Sequence, residues 1–475
     1  MSGPLPFRRL ELTGFPWMID AGRRRPLHTT QAFLAALRRC LEPSEIVQHF
    51  ELLAADFDNS FANLVLNRLL GQRLDARAQA IEPVYEGHHY YPFPALRVGP
   101  SLQHVVECSN LCREPIDLPL VAARPCAFDS AAYANHRACF RGWAGLSLPR
   151  DADVVIPLHP WQLALSPVVR ELLKRRWIAV LDERLEAIPL ASQRTCRILT
   201  TGFDVKLPID ATLTGEDRLL YPLNRANAPA FSVLARLLLK ASRESTLDFQ
   251  YDVASMAHAE PPIGNHLSAI VRSPVPGCSG EIVVPALNLW CGPRLARTLL
   301  ELRRPEQAYE FFRVYCRVLM RGPVDFYARW GMAFEPHLQN VYVALRDGVP
   351  SRIILRDLDS TILDPVRIRP FARANGVRLA AGTWRHMPDF ATGGRRLAHA
   401  MLYGHLGEVM SYLARTARAD LAKLTAAVND TWSELIAAAP SPSCRRQVRD
   451  LRVQADTVGA VLRRRLTRAT HTVFS

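Results

Sequence analysis

The sequence predicts an α+β fold, and three observations carry that prediction. Apolar residues recur at helical spacing near both ends, as in Leu34, Leu37 and Leu41, and in Leu402, Leu406, Val409 and Leu413. Between them, from about Arg150 to Pro293, short β-like runs are broken by Pro, Gly and Thr. Within the helical last part stands one alternating pattern that folds back around Asp347-Gly348.

In chain order, the first region (1–149) mixes helical patterns with loops. Phe61, Leu64, Val65 and Leu69 share one helical face there. The middle region (150–297) holds the runs Val154-Val155-Ile156, Ile178-Ala179-Val180-Leu181 and Asp204-Val205-Lys206-Leu207. The last region (298–475) is helical, and its stripes Tyr309, Phe312, Cys316, Leu319 and Leu402, Leu406, Val409, Leu413 read as core.

The hairpin is the most informative local pattern. Val341, Val343 and Leu345 alternate with Tyr342 and Ala344, Asp347-Gly348 turns the chain, and Ile353-Ile354-Leu355 runs back. Pro350 argues for a four-residue loop from Asp347 to Pro350, which puts Arg346 opposite Ser351 and Asn340 opposite Asp357. Glu335, His337, Gln339 and Asn340 then meet Arg356-Asp357-Leu358-Asp359 at one end. Taken singly, each half reads as solvated strand-end polar residues. Their convergence points to a divalent-metal and phosphate site, because Mg²⁺ takes one or two carboxylates and fills its remaining positions with water or phosphate. Glu335 and Asp357 fit that role.

Two further stretches carry chemistry. His159-Pro160-Trp161-Gln162 follows an apolar run, so a strand ending in a Pro turn can present His159 and Gln162 to a cleft. Trp161 reads equally well as core, and His159 as the partner of a backbone carbonyl. Ser192-Gln193-Arg194-Thr195 precedes Lys206, and two hydroxyls, a guanidinium and an ammonium suit a polyphosphate. Lys206 stands out because the chain has only four lysines. Thr214 and Arg218 fit an anion-binding loop or an ordinary turn.

Composition excludes several classes. Of 475 residues, 49% are apolar and 22% charged, which is ordinary for globular proteins and unlike disordered, collagen-like or disulfide-stapled chains. The net charge of +14 comes almost wholly from arginine, in short clusters such as Arg23-Arg24-Arg25 and Arg463-Arg464-Arg465. Nucleic-acid binding would rest on that charge alone, with no interleaved basic and aromatic surface, so no nucleic-acid partner is expected. Ten cysteines include no Cys-x-x-Cys pair, and Cys108 with Cys112 lacks two further zinc ligands nearby. Met1 to Arg9 lacks the apolar stretch of a signal peptide, and no run reaches the ~18 apolar residues of a membrane span. The expectation is a cytoplasmic protein with no membrane partner. P-loop, Rossmann, serine-hydrolase and zinc-protease motifs are absent.

The ordered set of motifs resembles the NRPS-independent siderophore synthetases, the aerobactin-synthetase-like family. The resemblance rests on His159-Pro160-Trp161-Gln162; Ser192-x-Arg194-Thr195 with Lys206-Leu207-Pro208; Thr214 and Arg218; and Glu335-x-His337-x-Gln339-Asn340 with Arg356-Asp357. Upstream, Gly87-His88 through Tyr91-Pro92 to Arg97 and Gly99 is similar to the family's N-terminal signature. The match runs from about Gly87 to Asp359.

This resemblance implies a hand-like enzyme with thumb (1–149), fingers (150–297) and palm (298–475). It implies MgATP-dependent activation of citrate, a citrate derivative or 2-oxoglutarate as an acyl-adenylate, then capture by a polyamine, amino acid or amino alcohol. Ser192, Arg194, Thr195, Lys206 and Arg272 are implied as phosphate contacts, and His337, Gln339 and Asn340 as the nucleotide pocket. Glu335 and Asp357 are implied as Mg²⁺ ligands, and His159, Thr214 and Arg218 as binders of the substrate carboxylate. Of these, Lys206, Arg218 and His159 are the implied catalytic groups, and a homodimer is the implied assembly. The chain departs from the family pattern at Tyr91, where a second His is usual, and at Ala95, where Lys is usual. Arg272 is followed by Ser273-Pro274 where an acidic residue is expected. The chain is also short, trimmed between Arg218 and Arg272 and in the palm, which leaves room for an altered substrate.

Two other readings compete. A kinase-like phosphotransferase would use His337 to Asn340 with Asp357 to Asp359, but needs an Asp base where Glu335 or His337 stands, and leaves His159 to Gln162 unexplained. A non-catalytic scaffold would have little reason to keep Lys206, Glu335 and Asp357 together.

Overall fold

Alternation with period two organises the middle of the chain. The computed structural model describes residues 17–20, 23–41, 50–71, 87–88, 93–111, 114–123, 140–146, 154–242, 244–291, 300, 302 and 304–453. Met1 to Arg9, Tyr91, Pro92, Cys112 and Arg463 to Arg465 lie outside these residues.

The strands in chain order are β1 (Trp17–Asp20), β2 (Arg23–Pro26), β3 (Arg97–Val98), β4 (Ile116–Ala123), β5 (Val154–Pro157) and β6 (Ile178–Pro189). Next come β7 (Thr195–Ile198), β8 (Asp204–Lys206), β9 (Ile209–Leu213), β10 (Glu216–Arg218), β11 (Leu247–Phe249) and β12 (Asp252–Ala257). The last are β13 (Ser268–Arg272), β14 (Ile282–Pro285), β15 (Met332–Ala333), β16 (Val341–Arg346), β17 (Val349–Leu355) and β18 (Ile362–Leu363). Helices make up the other regular elements, giving the α+β architecture that the sequence predicts.

A seven-stranded sheet in the order β12-β13-β8-β7-β6-β4-β5 forms the scaffold. Its register places Thr195 and Ile270 opposite Lys206, and Arg197 and Arg272 opposite Asp204. Asp252 lies opposite Arg272. Successive side chains point to opposite faces, so one face gathers Thr195, Arg197, Asp204, Lys206, Asp252 and Arg272. The other carries Cys196, Ile198, Val205, Ala269 and Val271, buried against Trp143, Val169 and Leu172. Burial of each large apolar side chain contributes about 1.5–3 kcal/mol, which holds the polar face in place.

A four-stranded sheet, β11-β17-β16-β14, carries the hairpin. The helix Pro305–Asp325 packs on it, with Phe312, Cys316 and Leu319 fully buried as expected. Close approach requires Gly322, where a Cβ would lie 2.6 Å from the Leu247 Cβ. Leu402, Leu406, Val409 and Leu413 are buried in the same core.

The hairpin register differs from the expected one. Asp347 (φ 52°) and Gly348 (φ 77°) make a two-residue turn that pairs Arg346 with Val349, the left-handed pair that matches strand twist. An irregularity then shifts the ladder, pairing Leu345 with Pro350 and Ala344 with Arg352. The extra residue, Ser351, lets a proline without an N–H sit inside the strand. As a result Asn340 faces Arg356, whose N–H donates to the Asn340 carbonyl at 3.1 Å, and Asp357 falls just beyond the ladder.

Two other local expectations change. His159-Pro160-Trp161-Gln162 opens the helix Pro160–Leu165, with His159 as its N-cap and Pro160 in the first turn. In the helix Phe50–Gly71, Phe61, Val65 and Leu69 are exposed, while Ser60 and Asn67 are buried. Among the described residues, no helix is long and apolar enough to cross a membrane.

Candidate active site

The polar face of the seven-stranded sheet meets the end of the β16–β17 hairpin, and there the charges concentrate. Lys206 Nζ donates to Asp357 Oδ1 at 2.8 Å and to Asp359 Oδ1 and Oδ2 at 2.8 and 2.9 Å. Arg272 donates from Nε to Asp252 at 2.7 Å and from NH2 to Asp357 at 2.5 Å. Asp357 sits at φ 69°, a left-handed conformation that turns the chain into the short 3₁₀ segment Leu358–Ser360. That turn lets two carboxylates two residues apart reach one ammonium. Desolvation alone would raise the Asp357 carboxyl, but Lys206 and Arg272 hold it well below the usual carboxylate range.

Around this cluster stand Arg194 and Glu335. Burial lowers the Arg194 guanidinium to about 10, with Arg218 adding repulsion and Asp357 and Asp359 opposing it. Its NH1 donates to the carbonyls of Arg218 and Leu219, both at 3.1 Å. Burial raises the Glu335 carboxyl; Arg396, 3.9 Å away, opposes the shift and Asp357 reinforces it. Carboxylates that crowd in this way favour a cation between them. Among the described residues no preformed set of three or more His, Cys, Asp or Glu ligands exists.

Beside the cluster opens a cleft lined in part by His88, Ser192, Thr214, Arg218, His337 and Gln339. Thr214 (φ 57°) and Gly215 (φ 90°) make the β9–β10 turn. Arg218 is clamped there, donating to the Leu213 carbonyl from Nε (3.1 Å) and NH2 (2.8 Å) and also to the Thr214 hydroxyl. Ser192 Oγ accepts the Thr195 N–H at 3.1 Å. His337 packs edge-on to His88, with ring centroids 4.9 Å apart, and burial lowers it to about 3, so it is neutral. Asn340 Nδ2 donates to the Glu335 carbonyl at 3.2 Å.

The fold therefore brings Lys206, Arg272 and Asp357 into direct contact and sets Ser192, Thr214, Arg218, His337 and Gln339 around one cleft. Thr195 is the cross-strand neighbour of Lys206. His159 stands apart: it is fully buried, burial lowers it to about 3, and its Nδ1 accepts the Trp161 N–H at 3.1 Å. Gln162 is also internal, donating to the His266 carbonyl and accepting the Asp210 N–H.

Sequence reasoning missed Asp359 as the second partner of Lys206, and Asp252 as the acid that pairs with Arg272. The Asp-x-Asp spacing at 357–359 was a usable signal. Asp252 had none, because its pairing depends on the order of β12 and β13.

The IucA / IucC family model matches residues 77–289, and the ferric iron reductase FhuF-like transporter model matches residues 309–473. An L-2,3-diaminopropanoate–citrate ligase of Staphylococcus aureus is 20% identical, spanning 85% of this chain and 75% of its own. The petrobactin biosynthesis protein AsbB of Bacillus anthracis superposes with a TM-score of 0.79 at 16% identity, over 99% of this chain and 84% of that one. ATP-bound aerobactin synthetase IucA of Klebsiella pneumoniae gives 0.69 at 16% identity, over 90% and 83%. At these identities the solved structures establish the fold.

Proposed function

The chain belongs to the IucA/IucC family, the NRPS-independent siderophore synthetases, and we propose that it is an ATP-dependent, AMP-forming carboxylate ligase of siderophore biosynthesis. Citrate or a citrate derivative is the acid, and an amine or alcohol is the acceptor. The observation that carries this reading is the contact of Lys206 with Asp357, 151 residues away, beside a cleft lined by Arg218. The name of the staphylococcal relative supports a citrate-like acid and an amine, and the ATP-bound relative supports ATP.

In this scheme a carboxylate oxygen attacks the α-phosphorus, the Pα–O–Pβ bond breaks, and pyrophosphate leaves with its electron pair. The acceptor nitrogen or oxygen then attacks the acyl carbon, the bond to AMP breaks, and the acceptor proton passes to solvent. Both reactants are anionic, so the cleft must offset their repulsion. Arg218 and Thr214 hold the acid. Ser192, Arg194, Thr195, Lys206 and Arg272 hold the phosphates, and His337, Gln339 and Asn340 line the nucleotide pocket. Glu335 and Asp357 would hold Mg²⁺, which would supply positive charge to offset that developing on the phosphates.

His159 keeps a place in this proposal for a specific reason. Because Nδ1 accepts a hydrogen bond, the neutral ring carries its proton on Nε2. That N–H is buried without a partner among the described residues, and it suits a carboxylate oxygen. Thumb, fingers and palm at residues 1–149, 150–297 and 298–475, a homodimer and a cytoplasmic location complete the proposal.

The test is the product formed from MgATP, citrate and hydroxylamine as a generic nucleophile. AMP and pyrophosphate, formed only when the acid is present, are expected. ADP would mean phosphoryl transfer and overturn the reading.

A further inference from the structure

Besides Arg218, the cleft wall contains a second cation that the scheme above does not use. Arg97 is 6% exposed and lines the cleft, as does Asn67, which is fully buried. Asn59, Asn63 and Asn67 recur every fourth residue on the helix Phe50–Gly71, and so share one face. Asn59 pairs with the Arg97 backbone, donating to its carbonyl at 3.0 Å and accepting its N–H at 2.9 Å. Asn63 Oδ1 accepts from Arg97 NH1 at 2.8 Å, and Asn67 Oδ1 from NH2 at 2.9 Å. Two neutral amides thus fix a guanidinium that no carboxylate offsets among the described residues, while Asn59 fixes its backbone. Burial lowers Arg97 only to about 10, so it stays charged at neutral pH.

This arrangement costs stability unless something anionic uses it, because a buried charge wants a counter-charge. The amide of Asn67 adds a second demand, since its Nδ2 is buried with no partner among the described residues. The two arginines of the cleft also stand on strands that flank β9, Arg97 on β3 and Arg218 on β10. Arg97 on β3 lies opposite Leu213 on β9, and the Leu213 carbonyl is the group that clamps Arg218.

We propose that Arg97 and Asn67 form a second carboxylate-binding subsite, separate from Thr214 and Arg218. The proposal rests on the reading of the cleft as the site of a carboxylate ligase. Two ligands could supply the group: a further carboxylate of the polyacid, or the carboxylate of an amino-acid acceptor. Arg97 provides a forked donor and Asn67 an N–H, a set that matches two oxygens of one planar anion.

Asn67→Asp tests the subsite because a structural role and a binding role predict opposite results. The new carboxylate is isosteric, gives Arg97 a counter-ion and repels a ligand carboxylate. The folded state should therefore be at least as resistant to urea as the wild type, while ligand binding weakens about 10- to 100-fold. Calorimetric titration of wild type and N67D with citrate, L-2,3-diaminopropanoate and 1,2-diaminoethane reads this without turnover. Weakened citrate binding assigns the subsite to the acid. Weakened diaminopropanoate binding, with 1,2-diaminoethane unchanged, assigns it to the acceptor. Arg97→Gln keeps an amide for the asparagines, removes the charge, and should weaken the same ligand. Wild-type affinities in both folded variants, or no binding of either carboxylate by the wild type, would overturn the subsite. Absence of AMP formation by a wild type that still binds citrate through Asn67 would overturn the adenylation reading alone.

Discussion

Replacing Lys206 by Met removes the charge and keeps the length of the side chain, and its cost can be worked from the contacts. Lys206 is 3% exposed, and its ammonium lies 2.8 Å from both Asp357 and Asp359. After the substitution, Asp357 keeps Arg272 at 2.5 Å, but Asp359 retains Arg272 only at 3.7 Å. The Asp359 side chain is 4% exposed, so a nearly unpaired carboxylate stays buried, a situation that costs about 3–5 kcal/mol. Asp359→Asn alone leaves Lys206 with Asp357 and should cost about 1–3 kcal/mol. In the double variant the buried carboxylate is gone, so the two losses should not add; a coupling of about 2 kcal/mol is expected. Urea denaturation of the wild type, both single variants and the double variant measures each quantity from the midpoints. Additivity within about 0.5 kcal/mol, or a K206M variant as stable as the wild type, would refute the buried-pair argument. K206M should form no AMP in any of these backgrounds.

Two other predictions follow from burial. His159, His337 and His405 are each lowered by burial to about 3, well under the ordinary value of 6.5. The unfolded chain binds protons there that the folded chain refuses, so stability is full above about pH 6.5 and falls as the pH drops toward 3. At pH 5 the loss is about 2 kcal/mol per imidazole, and a urea midpoint that stays flat from pH 8 to pH 5 would contradict it. Gly322→Ala should destabilise by about 1–3 kcal/mol, because its Cβ would meet Leu247 at 2.6 Å and force β11 away from the Pro305–Asp325 helix. An unchanged melting temperature would show that this approach is not tight.

The sequence by itself determined the parts that depend on neighbours in the chain. Alternation in Asp204-Val205-Lys206 marks a strand with one polar face, and the same holds for Thr195-Cys196-Arg197-Ile198. Helical spacing identified Phe312, Cys316 and Leu319 as core. Asp347-Gly348 marked the hairpin, although a bulge at Ser351 moved its register by one residue. The ordered motifs carried the resemblance, and the IucA / IucC family model matches residues 77–289, which hold most of them.

Only the tertiary structure decided which charges meet. Lys206 could have paired with any acidic group in the chain; the β7-β8-β13 order and the hairpin end select Asp357 and Asp359. The pairing of β12 with β13 gives Arg272 its partner Asp252, which no local pattern announces. The asparagine ladder was visible as a spacing in the Phe50–Gly71 helix, but its meaning required β3 to lay Arg97 against it. The reason is physical. Period and turn chemistry act within a few residues, whereas desolvation and ion pairing depend on what the whole fold places at 3 Å.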